Sequence, residues 1–417
     1  MTEKRQEKVT ALNLMLHDIQ IGVLVNYANS KNILVFSPEY QKLHQAIKPT
    51  FSLVQIDDEQ YLSNPQMRTQ RLPPVLSNLL PEGALKKWLA QGMKVSEDNE
   101  FPLLAYAGGN LPGALKAQPL TADNIPSWAL TSREQVEPVL MDLGTQSRKF
   151  SLAGVQIKFS SAYQDGRYNI DSDFEGDNWI IKTPSTIHPY VPENEYTVMR
   201  LAEVIGVEIP EIKLVDLDEL KGLPDIALPN ESHAFAIKRF DRTEKGRVHA
   251  EDFAQIFNLY ASEKYDKANY EMIGRVLYKY SSIRDVQQLA VRLLANIMLG
   301  NGDAHTKNFS VIYPDRINPE LSPAYDIVFT AAYIQGESDI ALNMAKEKSW
   351  YRLSLAHFEE WSNRIGVPWA AVRESLNSAI EKSKAWPELL LNLPMHEKHK
   401  ESLKAHWAKL HADFRLF

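Results

Sequence analysis

Between residues 294 and 312 the chain reads LANIMLGNGDAHTKNFSVI, so an acid, an imidazole, an ammonium and an amide crowd between two apolar segments. Phosphoryl transfer asks for such a set: an acid that orients the attacking hydroxyl and takes its proton, and a nearby oxygen ligand that holds Mg²⁺ against the phosphates. Asp303 and Asn308, in the pattern Asp-x-x-x-x-Asn, supply that pair. A second carboxylate is needed further on, at a strand end, to bridge the metal to the phosphates, and Asp326 in SPAYDIVF meets the requirement. A cation for the phosphates and an acid to hold that cation complete the machinery. Lys182 closes the β-like run NWIIK, and Glu195 lies in the helix-like stretch that follows, with Glu193 a rival that spacing does not separate from it.

Each residue alone has an ordinary reading, since Asp-x-x-x-x-Asn also arises in turns and helix caps. As an ordered set they read as phosphoryl transfer, and the catalytic loop of protein kinases separates its Asp and Asn by the same interval. Upstream, SLAGVQIK at 151–158 stands where a loop covering the phosphates belongs. It lacks G-x-G-x-x-G, but Ala153 and Gly154 allow close backbone approach and Lys158 adds charge. After FAIKRFDR the chain should cross between lobes, which makes backbone groups at Lys238, Arg239 and Phe240 candidates for an adenine edge; the same Lys-Arg-Phe-Asp-Arg string reads equally as a surface ion-pair network. His305 reads as a loop-shaping or phosphate-contacting group, because no second histidine sits at metal-ligand spacing.

A chain of 417 residues exceeds one compact core and calls for several units to position these groups. The first hundred residues mix strand-like IGVLVNY, NILVFSP and TFSLVQI with helix-like PEGALKKWLAQGM, and the Gly/Pro-rich AYAGGNLPGALKAQPLTADNIPSW reads as loops at a boundary. Short β-like runs recur up to HAFAIKRF, interrupted by the helical PENEYTVMRLAEVIG, with Pro192 suited to its first turn and Gly206 to its end. Beyond residue 248 the apolar spacing turns helical. The expected organisation is an α+β protein: an N-terminal α+β subdomain at 1–125, a β-rich lobe at 126–245 and a helical lobe with the catalytic loop at 246–417, a two-lobed protein-kinase-like fold.

Composition narrows the function classes. With 44% hydrophobic and 24% charged residues the chain is that of an ordinary folded protein. Its apolar runs fall short of the roughly 18–20 residues that span a bilayer, and its charged N-terminus lacks an apolar signal core, so a cytoplasmic protein without a membrane partner is expected. The absence of cysteine excludes disulfides, thiolate nucleophiles and Cys-ligated metals. A net charge of −7 argues against broad binding of nucleic acid by this chain alone.

Taken in order, FSLAGVQIK, NWIIKTPS, NEYTVMRLAEVIG, IKRFDR, EDFAQIF, GDAHTKNFSVI and AYDIV resemble the HipA family of bacterial serine/threonine kinase toxins, and LPPVLSNLLPEGALKKWLA and AGGNLPGAL resemble that family's N-terminal subdomain. The resemblance implies use of ATP and Mg²⁺, neutralisation by a small helix-turn-helix antitoxin of the HipB type that also represses the shared operon on its operator DNA, and an aminoacyl-tRNA synthetase as protein substrate. It implies Asp303 as base, Asn308 and Asp326 as metal ligands and Lys182, paired with Glu195, on the phosphates. Nucleotide contacts would come from Ala153, Gly154, Val155, Gln156, Ile157 and Lys158, from Lys238, Arg239 and Phe240, from His305, Thr306, Lys307 and Asn308, and from Tyr325. Self-phosphorylation would fall on Ser151, with Ser147, Ser160 and Ser161 as lesser alternatives; a dianionic group there would be repelled by the phosphates of ATP. Asp326 is followed by Ile-Val where kinases carry Phe-Gly, which puts the usual switching of that triplet in doubt. Two other readings stand beside this one: a small-molecule phosphotransferase, because NGDAHTKN also resembles the loop of aminoglycoside and choline kinases with Asn301 in place of His, and an inactive, kinase-shaped corepressor.

Overall fold

The computed structural model describes residues 7–27, 30–130, 136–138, 158–164, 167–169, 178–223 and 228–417. Two compact units emerge. The first takes residues 1–150 together with 243–262 and 312–318; the second takes 151–242, 263–311 and 319–417.

In the first unit, strands β1 (Glu7–Leu16), β2 (Ile19–Tyr27), β3 (Lys31–Phe36), β4 (Gln66–Thr69) and β5 (Leu115–Pro119) form a sheet in the order β4-β3-β2-β1-β5, and β6 (Val136–Pro138) pairs parallel with the start of β1. Alternation along the strands sends Leu12, Leu14, Leu16, Leu24 and Leu34 to one core and Ala11, Val23, Val25 and Ile33 to another on Ala129. Helices α1 (Gly83–Gly92) and α2 (Glu100–Ala107) contribute Leu89, Phe101 and Leu104 to the first of these cores. Glu100 is buried yet satisfied, accepting from the Leu72 N–H, the Ser77 hydroxyl and the Lys86 ammonium.

Two sequence expectations change here. The Gly/Pro-rich stretch read as loops contains β5, whose buried Leu115 and Ala117 pair it antiparallel with β1 from Leu12↔Pro119 to Leu16↔Leu115. TFSLVQI, read as a strand, turns instead into a short helix at Val54–Asp57. The carboxylate of Glu251 explains that turn: it accepts from the Ser52 hydroxyl and the Leu53 N–H, holding the start of the turn where a strand would have continued.

The second unit carries strands β7 (Lys158–Gln164), β8 (Arg167–Asn169), β9 (Trp179–Lys182), β10 (Ile212–Asp216), β11 (Leu220–Lys221) and β12 (His233–Lys238) in the order β10-β12-β9-β7-β8-β11. Helix α3 (Val191–Val204) is inserted between β9 and β10 and buries Val198, Met199, Leu201 and Ala202. Gly206, at φ +99°, turns the chain out of that helix in a conformation closed to most L-residues, as its place in the sequence suggests. Then come α4 (Tyr270–Tyr280), α5 (Ile283–Met298), α6 (Leu355–Ile365), α7 (Trp369–Ser383), α8 (Trp386–Asn392) and α9 (Glu397–Lys409). Side chains of Asn269 and Ser282 cap α4 and α5 by accepting from the N–H groups of Met272 and Asp285. At the other end of α5, where the loop with Asp303 departs, the His406 ring bonds the Ile297 carbonyl at 2.9 Å and the Trp407 indole donates to the Met298 carbonyl at 2.9 Å. Orphan carbonyls at a helix end need such partners, so α9 anchors the point from which the loop leaves. Among the described residues, no helix is long and apolar enough to cross a membrane.

Candidate active site

Lys182 ends β9, opposite Phe235 of β12, and its ammonium lies 5.5 Å from the Phe235 ring centre. It bonds two carboxylates at once, Glu195 from α3 and Asp326 from the segment after the loop that carries Asp303. Lys182 and Glu195 are buried, and the Asp326 side chain is partly exposed. Burial alone would pull the ammonium's pKa down; Asp326 and Glu195 outweigh it and hold the pKa above its usual range. The rivalry left open by spacing is resolved: Glu195 pairs with Lys182, whereas Glu193 bonds His233 at 2.8 Å.

Asp326 sits at φ +54°, a left-handed conformation that disfavours a residue with a Cβ. Strain of this kind persists where the surroundings over-determine it, here the ion pair with Lys182. Three residues on, Phe329 exchanges two hydrogen bonds with Asn194 of α3.

The loop after α5 is knitted by its own polar groups. Asn301 donates to the Asn296 side chain and accepts from the Asp303 N–H, and the Asp303 carbonyl accepts from the His305 N–H at 2.7 Å and the Asn308 amide at 2.8 Å. The Asp303 carboxylate is half exposed and accepts from the hydroxyl of Tyr265. Behind the loop, Thr330 accepts from the Gly302 N–H at 2.8 Å and donates to Glu337 at 2.6 Å. Burial pushes the Glu337 carboxyl up, the Thr330 hydroxyl opposes this, and the charge of Asp303 adds to the rise.

The remaining expected contacts fall into three groups. Phe240 and Tyr325 come together, their ring centres 5.7 Å apart, and the Tyr325 hydroxyl bonds Ser310 at 2.5 Å and the Lys307 carbonyl at 3.0 Å. The N–H groups of Lys238 and Arg239 already donate to the carbonyls of Glu211 and Asn178, and the Arg239 guanidinium forms a bidentate pair with Asp241 that Arg242 joins. Thr306 is buried and bonds the Lys264 carbonyl through its hydroxyl, and His305 is buried against Tyr265. Ser151, Ala153, Gly154, Val155, Gln156 and Ile157 lie outside the described residues; the backbone of Lys158 pairs with that of Lys182 across β7 and β9.

Tyr265, Asn194, Thr330 and Glu337 are functional candidates that spacing did not single out. Tyr265, Thr330 and Glu337 belong to no short motif and meet the loop only through the tertiary fold, whereas Asn194 bonds Phe329, three residues after Asp326. Asn194, one residue before Glu195, was within a stretch already read as important.

Residues 150–386 match the model of the HipA-like C-terminal domain, and residues 12–118 that of the HipA N-terminal domain. A protein of Sinorhizobium fredii named "Putative kinase Y4dM" is 38% identical over 96% of this chain and 97% of its own length. The serine/threonine-protein kinase toxin HipA of Shewanella oneidensis is 24% identical over 96% of this chain and 94% of its own. In fold, the chain is similar to a HipA chain from Shewanella oneidensis, solved in a complex of HipA, HipB and operator DNA, with a TM-score of 0.70 at 22% identity over 95% of this chain and 94% of that one. The α+β, protein-kinase-like architecture expected from the sequence is the one found.

Proposed function

Because the chain belongs to the HipA family, we propose that it is an ATP-dependent serine/threonine protein kinase and the toxin of a toxin–antitoxin pair. The observation that carries the reading is Lys182 held between Glu195 and Asp326, an arrangement that presents a fixed cation to phosphate beside a carboxylate able to turn to a metal.

In this reading Asp303 accepts the proton of a serine hydroxyl as its oxygen attacks the γ-phosphorus, the bond from that phosphorus to the β,γ-bridging oxygen breaks, and ADP leaves. Lys182 binds the phosphates, and Glu195 keeps it aimed. Asn308 and Asp326 offer the hard oxygen donors that suit Mg²⁺, which takes few protein ligands and completes its shell with phosphate and water. Among the described residues no group of three or more His, Asp or Glu side chains is placed to hold a metal ion. When bound, Mg²⁺ would neutralise the phosphate charge. Phe240 and Tyr325 suit the nucleotide's ring, the N–H groups of Lys238 and Arg239 being engaged elsewhere. The segment from Ala153 to Lys158 would cover the phosphates.

Ser151 is the proposed self-phosphorylation site, an aminoacyl-tRNA synthetase the proposed protein substrate, and a helix-turn-helix antitoxin the proposed partner, acting with this chain on operator DNA. The partner proposal draws support from the HipA–HipB–DNA assembly in which the related structure was solved.

The test is intact-mass spectrometry with peptide mapping after incubation with Mg²⁺-ATP, comparing wild type with Asp303→Gln. One phosphate on Ser151 in wild type and none in the variant is expected. Phosphate on both proteins would remove Asp303 from the role of base; none on either, without ATP binding by calorimetry, would leave a non-enzymatic corepressor.

A further inference from the structure

The chain from Glu263 to Tyr270, the first residue of α4, carries none of the residues that spacing singles out, yet it is bound to the catalytic loop at three points. The Lys264 carbonyl accepts from the hydroxyl of Thr306 at 3.2 Å, the Tyr270 hydroxyl donates to the Ala304 carbonyl at 2.8 Å, and between them Tyr265 donates to Oδ1 of Asp303. Thr306 and Tyr270 are both buried, so the backbone on either side of Tyr265 is anchored. The Tyr265 ring stands edge-on to His305 with centres 5.0 Å apart and planes at 81°, and the Lys264 ammonium lies 5.5 Å from the ring centre. His305 Nε2 lies 3.9 Å from the same Oδ1, so that oxygen faces Tyr265 and His305 together. Oδ2 has no hydrogen-bond partner among the described residues, on a side chain that is 52% exposed.

A carboxylate on a half-exposed loop rotates about a broad, two-fold terminal torsion. Only some of its orientations offer an oxygen to an incoming hydroxyl, and a donor held by its own anchored backbone selects among them before the acceptor arrives. We infer that Tyr265 is a positioning residue for phosphoryl transfer: its hydroxyl holds Oδ1 of Asp303 and leaves Oδ2 to take the acceptor's proton. The inference rests on the reading of Asp303 as base and names a residue on which that base depends.

Tyr265→Phe in the full chain keeps the ring against His305 and removes only the hydroxyl. The readout is ADP released from Mg²⁺-ATP, which counts transfer to any acceptor, water included, together with ATP affinity by calorimetry. The expected result is a kcat about tenfold lower, the loss of one oriented hydrogen bond, with the KM and affinity for ATP unchanged; in an Asp303→Asn background the same substitution should have no further effect. An inactive Asp303→Asn beside a Tyr265→Phe of wild-type kcat overturns the inference and leaves the base in place. No ADP release by wild type, or full release by Asp303→Asn, removes the base and the inference with it. A variant that loses ATP affinity along with kcat assigns Tyr265 to the fold alone, and phosphate mapped to Tyr265 makes it an acceptor instead.

Discussion

Asn194 and Phe329 close a two-bond ring between a helix and a distant segment: the Phe329 N–H donates to the Asn194 side-chain oxygen at 2.9 Å, and the Asn194 amide donates to the Phe329 carbonyl at 3.2 Å. Asn194 precedes Glu195, and Phe329 follows Asp326 by three residues. The segments that carry the two carboxylates gripping Lys182 are therefore tied to one another by side-chain-to-backbone bonds as well as through the ammonium.

Asn194→Ala should unmake both bonds and leave the buried Phe329 N–H unpaired while its carbonyl keeps the Ala332 N–H, a loss of about 1–3 kcal/mol by urea denaturation. ADP release should fall at urea-free conditions where the variant remains folded, because Glu195 and Asp326 are then free to drift apart. Full activity in a folded Asn194→Ala would show that the ion pairs hold this geometry unaided.

Glu195→Gln and Glu193→Gln separate the two acids of α3. The first should lower ADP release by on the order of 10²-fold, as losses of an oriented charged group at a reacting phosphate do; the second, which touches His233, should leave it within about twofold. Lys182→Met should abolish ATP binding and lose about 3–5 kcal/mol of stability, since it strands Glu195 and Asp326 without their cation. Calorimetry and denaturation on the same samples distinguish the two effects.

Gly302 has no room for a methyl group. A Cβ there would lie 2.2 Å from Glu337 Oε1 and 3.1 Å from the Asp339 carbonyl. Gly302→Ala should displace Glu337 from Thr330 and loosen the loop, with a loss of about 1–3 kcal/mol. Glu337→Ser in the same chain should restore part of it by making space, and strictly additive losses in the double variant would place the strain elsewhere.

Glu251 gives the first unit a pH dependence. Burial pushes its carboxyl from 4.5 up to about 7 against the hydrogen bonds from Ser52, Leu53 and Tyr313. Between those values the unfolded chain has lost a proton that the folded chain keeps, so this contribution is full below about pH 4.5, declines by about 3 kcal/mol as pH rises to 7, and is level above. Denaturation midpoints across that window should slope downward in wild type relative to Glu251→Gln. Parallel slopes in the two proteins would assign the effect to other groups.

Much of this protein is legible in the order of its residues. Lys182, Asp303, Asn308 and Asp326, with an acid of the helix at 191–204, read in order as a proposed phosphoryl-transfer set because that chemistry demands particular groups, and the helical and β-like periodicities report faces that must be buried. Local pattern also placed the helix from Pro192 to Gly206, because proline and glycine act on their own backbone. What it left open depended on partners far away in the chain. Glu195 and Glu193 are chemically alike, and only the packing of α3 gives one of them Lys182 and the other His233. TFSLVQI has the residues of a strand, and only the carboxylate of Glu251, some two hundred residues on, turns it. Tyr265 carries no motif, and it meets Asp303 because Thr306 and Tyr270 bind the segments around it. Spacing shows which groups can act together; the tertiary fold, by burying some and anchoring others, decides which oxygen meets which proton.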